Sequence, residues 1–342
     1  KINLIKLCDM LLCFCTTFLL GFATIIEGPG KRKRFFAERK ATSIEDIIQR
    51  KLREAELLEK EHSDVAKSDV RRRLSFASTS GTLRMSQSLR RRNGSPAVIA
   101  DIKRRGTNGI ELAKFEDASL VSAALSAFPI DALCLGIDYE IYGGYPEEIS
   151  KTKRRLQEEN LTIPIIAKDF IVAPIHIAML AEIGADAVIL ITTILGSTLE
   201  DLLNTCTLVG IEALVEVYTP NELRFALNAG ASAILVNNFD RINNEFTPNQ
   251  ALGLRDLIPP NIITAVTGGI TDFSSAARYA AAGYDALFLD SALVGSPPES
   301  SRPLVQRIRT LSRSPLQGMT PASIAADLSF ASSSYYDNDV PS

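Results

Sequence analysis

The sequence predicts an α/β fold, a (β/α)8 TIM barrel with an N-terminal helical extension. Eight short apolar runs recur between residues 97 and 289, and stretches with helical periodicity separate them. The runs are apolar on both faces, as parallel strands are when helices cover one face of the sheet and a closed core fills the other. The length of 342 residues exceeds one ordinary domain but suits such a barrel with extensions.

Composition and charge narrow the class of protein. Hydrophobic residues make up 46% of the chain and charged residues 23%, so a sizeable core is expected and wholesale disorder is excluded. The net charge of −3 combines +9 over residues 1–95 (20 Lys and Arg against 11 Asp and Glu) with −12 over residues 96–342 (17 against 29). Because the predicted barrel is acidic, we expect no nucleic acid partner.

Cysteine and histidine usage excludes several kinds of site. Three of the five cysteines lie in an apolar N-terminal run, and only Cys134 and Cys206 follow it, without a Cys-x-x-Cys motif. Neither a disulfide framework nor a metal site is therefore expected. With only His62 and His176, most Ser-His-Asp and Cys-His chemistry is also removed, so acid–base catalysis must use Lys, Glu and Asp.

Residues 1–42 are predicted to be a targeting or anchor segment. An uncharged apolar run over residues 10–26 follows Lys1 and Lys6 and precedes a basic cluster at residues 31–34. Its length of 17 residues lies at the lower edge for a membrane span and slightly above a typical signal sequence. We expect targeting to a plastid. The alternative is a membrane anchor, so any membrane contact is expected only through residues 4–26.

Residues 43–61 predict an amphipathic helix that precedes the barrel. Ser43 is its expected N-cap, and apolar residues follow at helical spacing. The Ser- and Arg-rich residues 63–96 are predicted to be a solvated linker, although their Arg runs would also suit acidic partners. The barrel domain is therefore placed at residues 43–314, and the Ser-rich residues 315–342 are predicted to be disordered.

The strand–helix alternation defines the barrel itself. The predicted strands are residues 97–102, 131–137, 163–167, 186–192, 212–217, 232–237, 262–266 and 285–289. Helical patterns between them include residues 172–184, 198–209, 219–229 and 272–283. A doubly wound open sheet is the alternative, but no Gly-x-Gly-x-x-Gly motif follows the first strand.

Polar side chains follow the predicted strands, where the active site of such a barrel lies. They are Asp101, Lys103, Asp138, Lys168, Glu216, Asn237 and Thr267. Lys168 and Glu216 stand in otherwise apolar runs, where a charge is costly, so both are predicted to be functional. A lysine beside a carboxylate can serve as a general acid, and a buried carboxylate as a base.

The remaining polar residues admit plainer interpretations. Lys103 lies in a basic run and Asn237 in a turn-like pair, so each fits a structural role equally well. Asp138 is interpreted as a loop or cap residue and His176 as a structural residue.

The last two strand ends suggest a phosphate site. Gly268 and Gly269 follow the seventh strand and offer backbone N–H groups that an anion can approach closely. The loop that begins with Asp290 and Ser291, after the eighth strand, is expected to add a contact. A tight turn at the two glycines is the alternative.

Several motifs together resemble the indole-3-glycerol phosphate synthase family from about residue 43 to residue 311. They are IADIKR (99–104), IDYEIYGG (137–144), PIIAKDFIV (164–172), GADAVILI (184–191), ALVEVYTPNEL (213–223), ILVNNFD (234–240) and TGGI (267–270). The resemblance implies a lyase of tryptophan biosynthesis that needs no metal or organic cofactor. Its small-molecule sugar-phosphate substrate would be 1-(2-carboxyphenylamino)-1-deoxyribulose 5-phosphate, converted by ring closure, decarboxylation and dehydration.

The resemblance also implies roles for individual residues. Lys168 would be the general acid that protonates the ribulose carbonyl. Glu216 would assist proton removal and dehydration, and Lys103 would contact the substrate carboxylate and take part in proton transfer. Asn237 would orient the substrate, and Asp101 occupies a position where the family usually has Glu.

Other departures from the family pattern surround these residues. Gly106, Thr107 and Asn108 replace Ser-Pro-Ser, Phe239 replaces an Arg, Thr267-Gly268-Gly269 replaces Glu-Ser-Gly, and Leu289 is aligned with the Gly of the phosphate loop. A Leu there is expected to obstruct the approach of phosphate to the backbone. Two alternatives therefore stay open: a catalytically silent barrel that binds or scaffolds, and a different activity on a ribulose phosphate. The sequence predicts no oligomeric state.

Overall fold

The computed structural model describes residues 43–78, 83–90 and 94–312. The predicted targeting segment 1–42 and the predicted tail 315–342 lie outside these residues. Within the part that the structure describes, no helix is both long and apolar enough to cross a bilayer.

Eight parallel strands close into a barrel, which confirms the predicted fold class. The barrel strands in chain order are β1 (Ala97–Ile102), β2 (Ala132–Gly136), β3 (Ile165–Lys168), β4 (Ala187–Ile191), β5 (Glu212–Val217), β6 (Ala233–Asn237), β9 (Ile263–Thr267) and β10 (Ala286–Leu289). Two short strands, β7 (Phe239–Asp240) and β8 (Glu245–Phe246), lie between β6 and β9 in the chain. Around the barrel the eight strands run β1-β10-β9-β6-β5-β4-β3-β2, and β7 and β8 form a separate hairpin. Because β1 pairs with both β2 and β10, the sheet has no free edge and the open-sheet alternative is wrong.

Helices surround the barrel and precede it. They are α1 (Ile44–Glu61), α2 (Asp69–Ser75), α3 (Arg84–Leu89), α4 (Ala118–Ser126), α5 (Glu147–Glu158), α6 (Pro174–Glu182), α7 (Thr192–Leu195), α8 (Leu199–Val209), α9 (Pro220–Asn228), α10 (Gln250–Arg255), α11 (Phe273–Ala281), α12 (Ser291–Val294) and α13 (Pro298–Ile308). Ser43 caps α1 as predicted, since its side chain accepts the N–H of Asp46.

The prediction of a solvated linker over residues 63–96 is wrong in part. This segment contains α2 and α3. Met85 and Leu89 of α3 are buried at 1% and 0% exposure and pack with the side chains inside the barrel. Glu212, at the start of β5, accepts the backbone N–H of Met85 at 2.7 Å. The third helix thus covers the amino-terminal end of the barrel, where Met85 and Leu89 pack beside Ala97 and Ala132.

Strand side chains alternate between the barrel interior and the helices outside. In β1, Ala97 and Ile99 belong to the inner apolar cluster, whereas Val98 and Ala100 belong to the outer one. The period of two carries Asp101 to the inside at the carboxyl end of the strand. The same alternation directs the last inward residue of each strand into one shared mouth.

The first helix is fixed over this mouth by a buried cluster of charges. Lys51 is 3% exposed, and its Nζ lies 2.8 and 2.9 Å from the two carboxylate oxygens of Asp169, directly after β3. It also lies 3.3 Å from Asp138, which follows β2 and accepts the N–H of Ile141 as a loop residue. Burial alone would lower the pKa of Lys51, but Asp169 and Asp138 outweigh it and raise that pKa.

Replacing Lys51 with Met is expected to lower the free energy of unfolding by about 3 kcal/mol, because it leaves the buried Asp169 without its cation. Urea denaturation of the full chain measures the change. Lys67→Met is the matched control, since Lys67 is 85% exposed in its pair with Asp64 and should change the same quantity by less than about 0.5 kcal/mol. Equal effects of the two variants would contradict a structural role for the buried cluster.

Candidate active site

A cavity of about 210 Å³ opens at the carboxyl ends of the strands. Its lining residues are Lys103, Gly106, Thr107, Asn108, Leu112, Tyr142, Lys168, Asn237, Phe239, Arg241, Phe246, Thr267, Gly268, Gly269 and Asp290. Predicted site residues from β1, β3, β6 and β9 therefore meet in one place. Within the described ranges, no group of three or more His, Cys, Asp or Glu is arranged to hold a metal ion.

Two lysines of the cavity share one buried carboxylate. Lys103 Nζ and Lys168 Nζ donate to the same oxygen of Asp101, Oδ2, at 2.6 and 2.8 Å. Asp101 is 1% exposed and Lys168 is 4% exposed. The side chain of Asp101, one methylene shorter than the usual Glu, therefore still reaches both lysines.

This pairing fixes the charge of the two buried groups. Burial alone would raise the pKa of Asp101, but Lys103 and Lys168 outweigh it and hold that pKa far below its usual range. Burial would likewise lower the pKa of Lys168, yet the Asp101 carboxylate overrides it and raises the pKa well above that of an ordinary lysine. Lys168 is consequently a charged ammonium at neutral pH.

Glu216, at the end of β5, is held by a cation that sequence analysis missed. Arg241 donates to both carboxylate oxygens of Glu216, through Nε to Oε1 and through Nη2 to Oε2 at 2.8 Å. Asn237 Nδ2 also donates to Oε1 at 3.1 Å. Burial would raise the pKa of Glu216, but Arg241 prevails and lowers it, so the group is a carboxylate. Lys168 adds to this lowering, so the two buried groups interact electrostatically.

The β7–β8 hairpin positions Arg241. Phe239 pairs with Phe246 and Asp240 with Glu245, and Asp240 caps the turn by accepting the N–H of Ile242 at 2.8 Å. Arg241 is the first residue of that turn, so its side chain reaches back into the mouth. An arginine two positions beyond the family's arginine site, here Phe239, is the sequence signal that could have found it.

The same hairpin covers one of the predicted phosphate-binding glycines. A Cβ on Gly269 would clash with the ring of Phe246, and the φ of Gly269 is +78°, a backbone conformation that favours glycine. Gly268 and Gly269 both line the cavity.

The expectation that Leu289 obstructs the phosphate loop is wrong. Leu289 is 0% exposed and packs in the outer cluster, because it alternates with Phe288, which faces inward. The next inward residue is Asp290, whose carboxylate lies 3.2 Å from Lys103 Nζ. Ser291, a predicted substrate contact, is not among the lining residues, and its backbone N–H donates to Asp290 Oδ1 at 2.6 Å. This end of the cavity thus carries a carboxylate that is paired with Lys103.

A second cavity, of about 170 Å³, adjoins the first beneath α1. Six of its eleven lining residues have apolar side chains, so we call it the apolar cavity, and Glu45 and Arg241 are its charged ones. The six are Ile44, Ile47, Ile141, Phe170, Phe239 and Ile242. Thr107, Phe239 and Arg241 line both cavities. A ligand with a flat apolar part and a polar part therefore matches the pair of cavities in shape and polarity.

A family model and two sequence relatives agree on one family. The family model described as Indole-3-glycerol phosphate synthase matches residues 44–302. The enzyme of that name from Opitutus terrae is 32% identical over 212 residues, covering 61% of this chain and 79% of the relative. The one from Chlorobium phaeovibrioides is 27% identical over 251 residues, covering 72% and 92%. Among solved structures, 3-hexulose-6-phosphate synthase from Salmonella typhimurium aligns with a TM-score of 0.49 and 15% identity, covering 62% of this chain and 96% of that chain.

Proposed function

The chain belongs to the indole-3-glycerol phosphate synthase family of carboxy-lyases in tryptophan biosynthesis, and we propose how its own residues perform that reaction. The substrate is 1-(2-carboxyphenylamino)-1-deoxyribulose 5-phosphate. Its aromatic ring attacks the ribulose carbonyl, CO₂ leaves, and loss of water gives indole-3-glycerol phosphate. The observation that carries the proposal is a buried ammonium, Lys168, that lines the cavity, together with a buried carboxylate, Glu216, that is bonded to the lining residues Asn237 and Arg241.

Lys168 acts as the general acid of ring closure. It donates its proton to the carbonyl oxygen as the new carbon–carbon bond forms, which avoids a free alkoxide. Asp101 keeps this ammonium charged and directs it from 2.8 Å away. Lys103 shares Asp101 and takes part in the proton transfers that follow.

Glu216 acts as the base of the later steps. Loss of CO₂ from the attacking ring carbon restores the benzene ring without a proton transfer, and Glu216 then accepts the proton that is removed as the hydroxyl leaves as water. Asn237 lies between the cavity and Glu216 and donates to the carboxylate, so it orients both the base and the substrate.

The two cavities divide the substrate between them. The phenyl ring lies in the apolar cavity beside Phe170 and Phe239, and the ribulose chain crosses the polar cavity. The phosphate lies beside Gly268, where the backbone can approach it closely, because the Phe246 ring covers Gly269.

The direct test is product formation by the full chain. Purified protein and substrate are incubated, and indole-3-glycerol phosphate is followed by its fluorescence. Product in amounts that exceed the enzyme, and growth of a tryptophan auxotroph lacking this step, are the expected results. Tight substrate binding without any product would indicate a silent binding barrel, and a product that keeps the carboxylate would indicate another sugar-phosphate activity.

Asp290 is expected to weaken binding of the phosphate, because its carboxylate lies at that end of the cavity. Asp290→Asn should lower KM for the substrate about tenfold, since it removes a like charge and frees Lys103. Steady-state kinetics at fixed ionic strength measure the change. Asp201→Asn, on the exposed surface of α8, makes the same change in net charge and should leave KM unaltered. A higher KM in Asp290→Asn would mean that Asp290 instead binds a substrate hydroxyl.

A further inference from the structure

Arg241 lies where the two cavities meet. It lines the polar cavity at the strand ends and also the apolar cavity beneath α1. Its guanidinium carbon is 5.5 Å from the centre of the Phe170 ring, and Nη1 lies 3.4 Å from the Tyr142 hydroxyl. Of the described residues that line the apolar cavity, Arg241 is the one with a cationic side chain.

Arg241 also separates the base from the substrate space. Glu216 is 3% exposed and lines neither cavity, whereas its partners Arg241 and Asn237 both line the polar one. Both oxygens of Glu216 accept N–H groups of Arg241. A carboxylate paired in this way is a weak base, because the cation stabilises its charged form. Glu216 must therefore lose this partner before it can accept a proton.

The other cations of the cavity are already occupied. Lys168 pairs with Asp101 at 2.8 Å, and Lys103 is shared by Asp101 and Asp290 at 2.6 and 3.2 Å. The charged side chains that line the apolar cavity within the described residues are Glu45 and Arg241, so a substrate anion there has Arg241 as its cationic partner. A carboxylate attached to an aromatic ring is planar and accepts two parallel N–H groups, which is the geometry that a guanidinium offers.

We propose that Arg241 binds the aryl carboxylate of the substrate and releases Glu216 when it does so. This inference rests on the proposed function. The exchange replaces one carboxylate partner by another, so Arg241 stays paired while Glu216 gains access to the cavity. No covalent bond changes in this step. Substrate binding thereby activates the base, and the free protein holds it inactive.

Two non-reactive ligands test the exchange. One is the alcohol obtained by reducing the ketone of the substrate, and the other is the same alcohol without the ring carboxylate. Titration calorimetry on the full chain should show that the wild type prefers the carboxylate ligand at least tenfold. Arg241→Gln should lose this preference yet bind the carboxylate-free ligand within about twofold of the wild type. Arg309→Gln breaks a different Arg–carboxylate pair, with Asp131 at 2.7 Å, and should change neither affinity.

A second readout separates this role from a purely structural one. Removing Arg241 should raise the pKa of Glu216, so the acid limb of kcat/KM should move to higher pH in Arg241→Gln. Equal weakening of both ligands, or an unmoved acid limb, would overturn the exchange. A wild type that binds neither ligand and forms no product would instead reject the proposed function itself.

Discussion

Lys168→Met is expected to lower kcat at least about 10³-fold, because it removes the proton donor of ring closure. The variant should fold, since Asp101 keeps Lys103 as a partner at 2.6 Å. Without the acid, the carbonyl oxygen would develop its negative charge beside Lys103 alone. Single-turnover formation of indole-3-glycerol phosphate, with protein in excess over substrate, measures the chemical step separately from product release.

Two further variants show whether the loss of kcat comes from the missing proton donor or from a broken ion pair. Lys168→Arg preserves a positive charge for Asp101 but has a far weaker acid, so it should fold normally and remain at least 10²-fold slower. Lys153→Met breaks a comparable pair, with Asp186 at 2.7 Å at the other end of the barrel, and should keep full activity.

Because Asp101 raises the pKa of Lys168, deprotonation of Lys168 should cause no loss of activity up to about pH 9. A kcat within threefold of wild type in Lys168→Met would refute the assignment.

The fold was predictable because local pattern and global architecture agree. The predicted first strand, residues 97–102, coincides with β1, since an apolar run bounded by turn residues has one plausible length. The third helix was not recognised, because only two of its six residues are buried and its partners lie inside a barrel formed much later in the chain. Its contacts with Glu212 join residues more than 100 positions apart in the sequence, so no local sequence pattern predicts them.

The candidate site was predictable only where a strand carries the residue. Lys168 and Glu216 stand at the ends of apolar strands, so their burial could be inferred from neighbours in the sequence. Arg241 reaches the site from a hairpin whose geometry depends on pairing between Phe239 and Phe246. Asp290 could have been found, because the alternation that places Phe288 inside also places the residue two positions later inside.

Glu216→Gln is expected to lower kcat about 10³-fold while the affinity for the carboxylate-bearing alcohol stays equal or rises. Gln has the same shape but cannot accept a proton, so proton removal and dehydration lose their base. At the same time, Arg241 loses its charged partner and is free to bind the ligand carboxylate. Kinetics of product formation measure kcat, and calorimetric titration of the same protein sample measures the affinity for the alcohol.

The variant also leaves a buried arginine without a counter-charge, which should lower the free energy of unfolding by about 3 kcal/mol. Glu148→Gln controls for this effect, since Glu148 is another buried carboxylate that binds an arginine through both oxygens, Arg104 at 2.6 and 3.1 Å. It should destabilise the protein similarly and leave kcat of the folded fraction within about threefold. If Glu148→Gln slows turnover as much as Glu216→Gln, loss of stability explains both and Glu216 is not the base. If only Glu216→Gln lowers kcat and its affinity for the ligand is unchanged, the base is Glu216, the carboxylate that Arg241 covers.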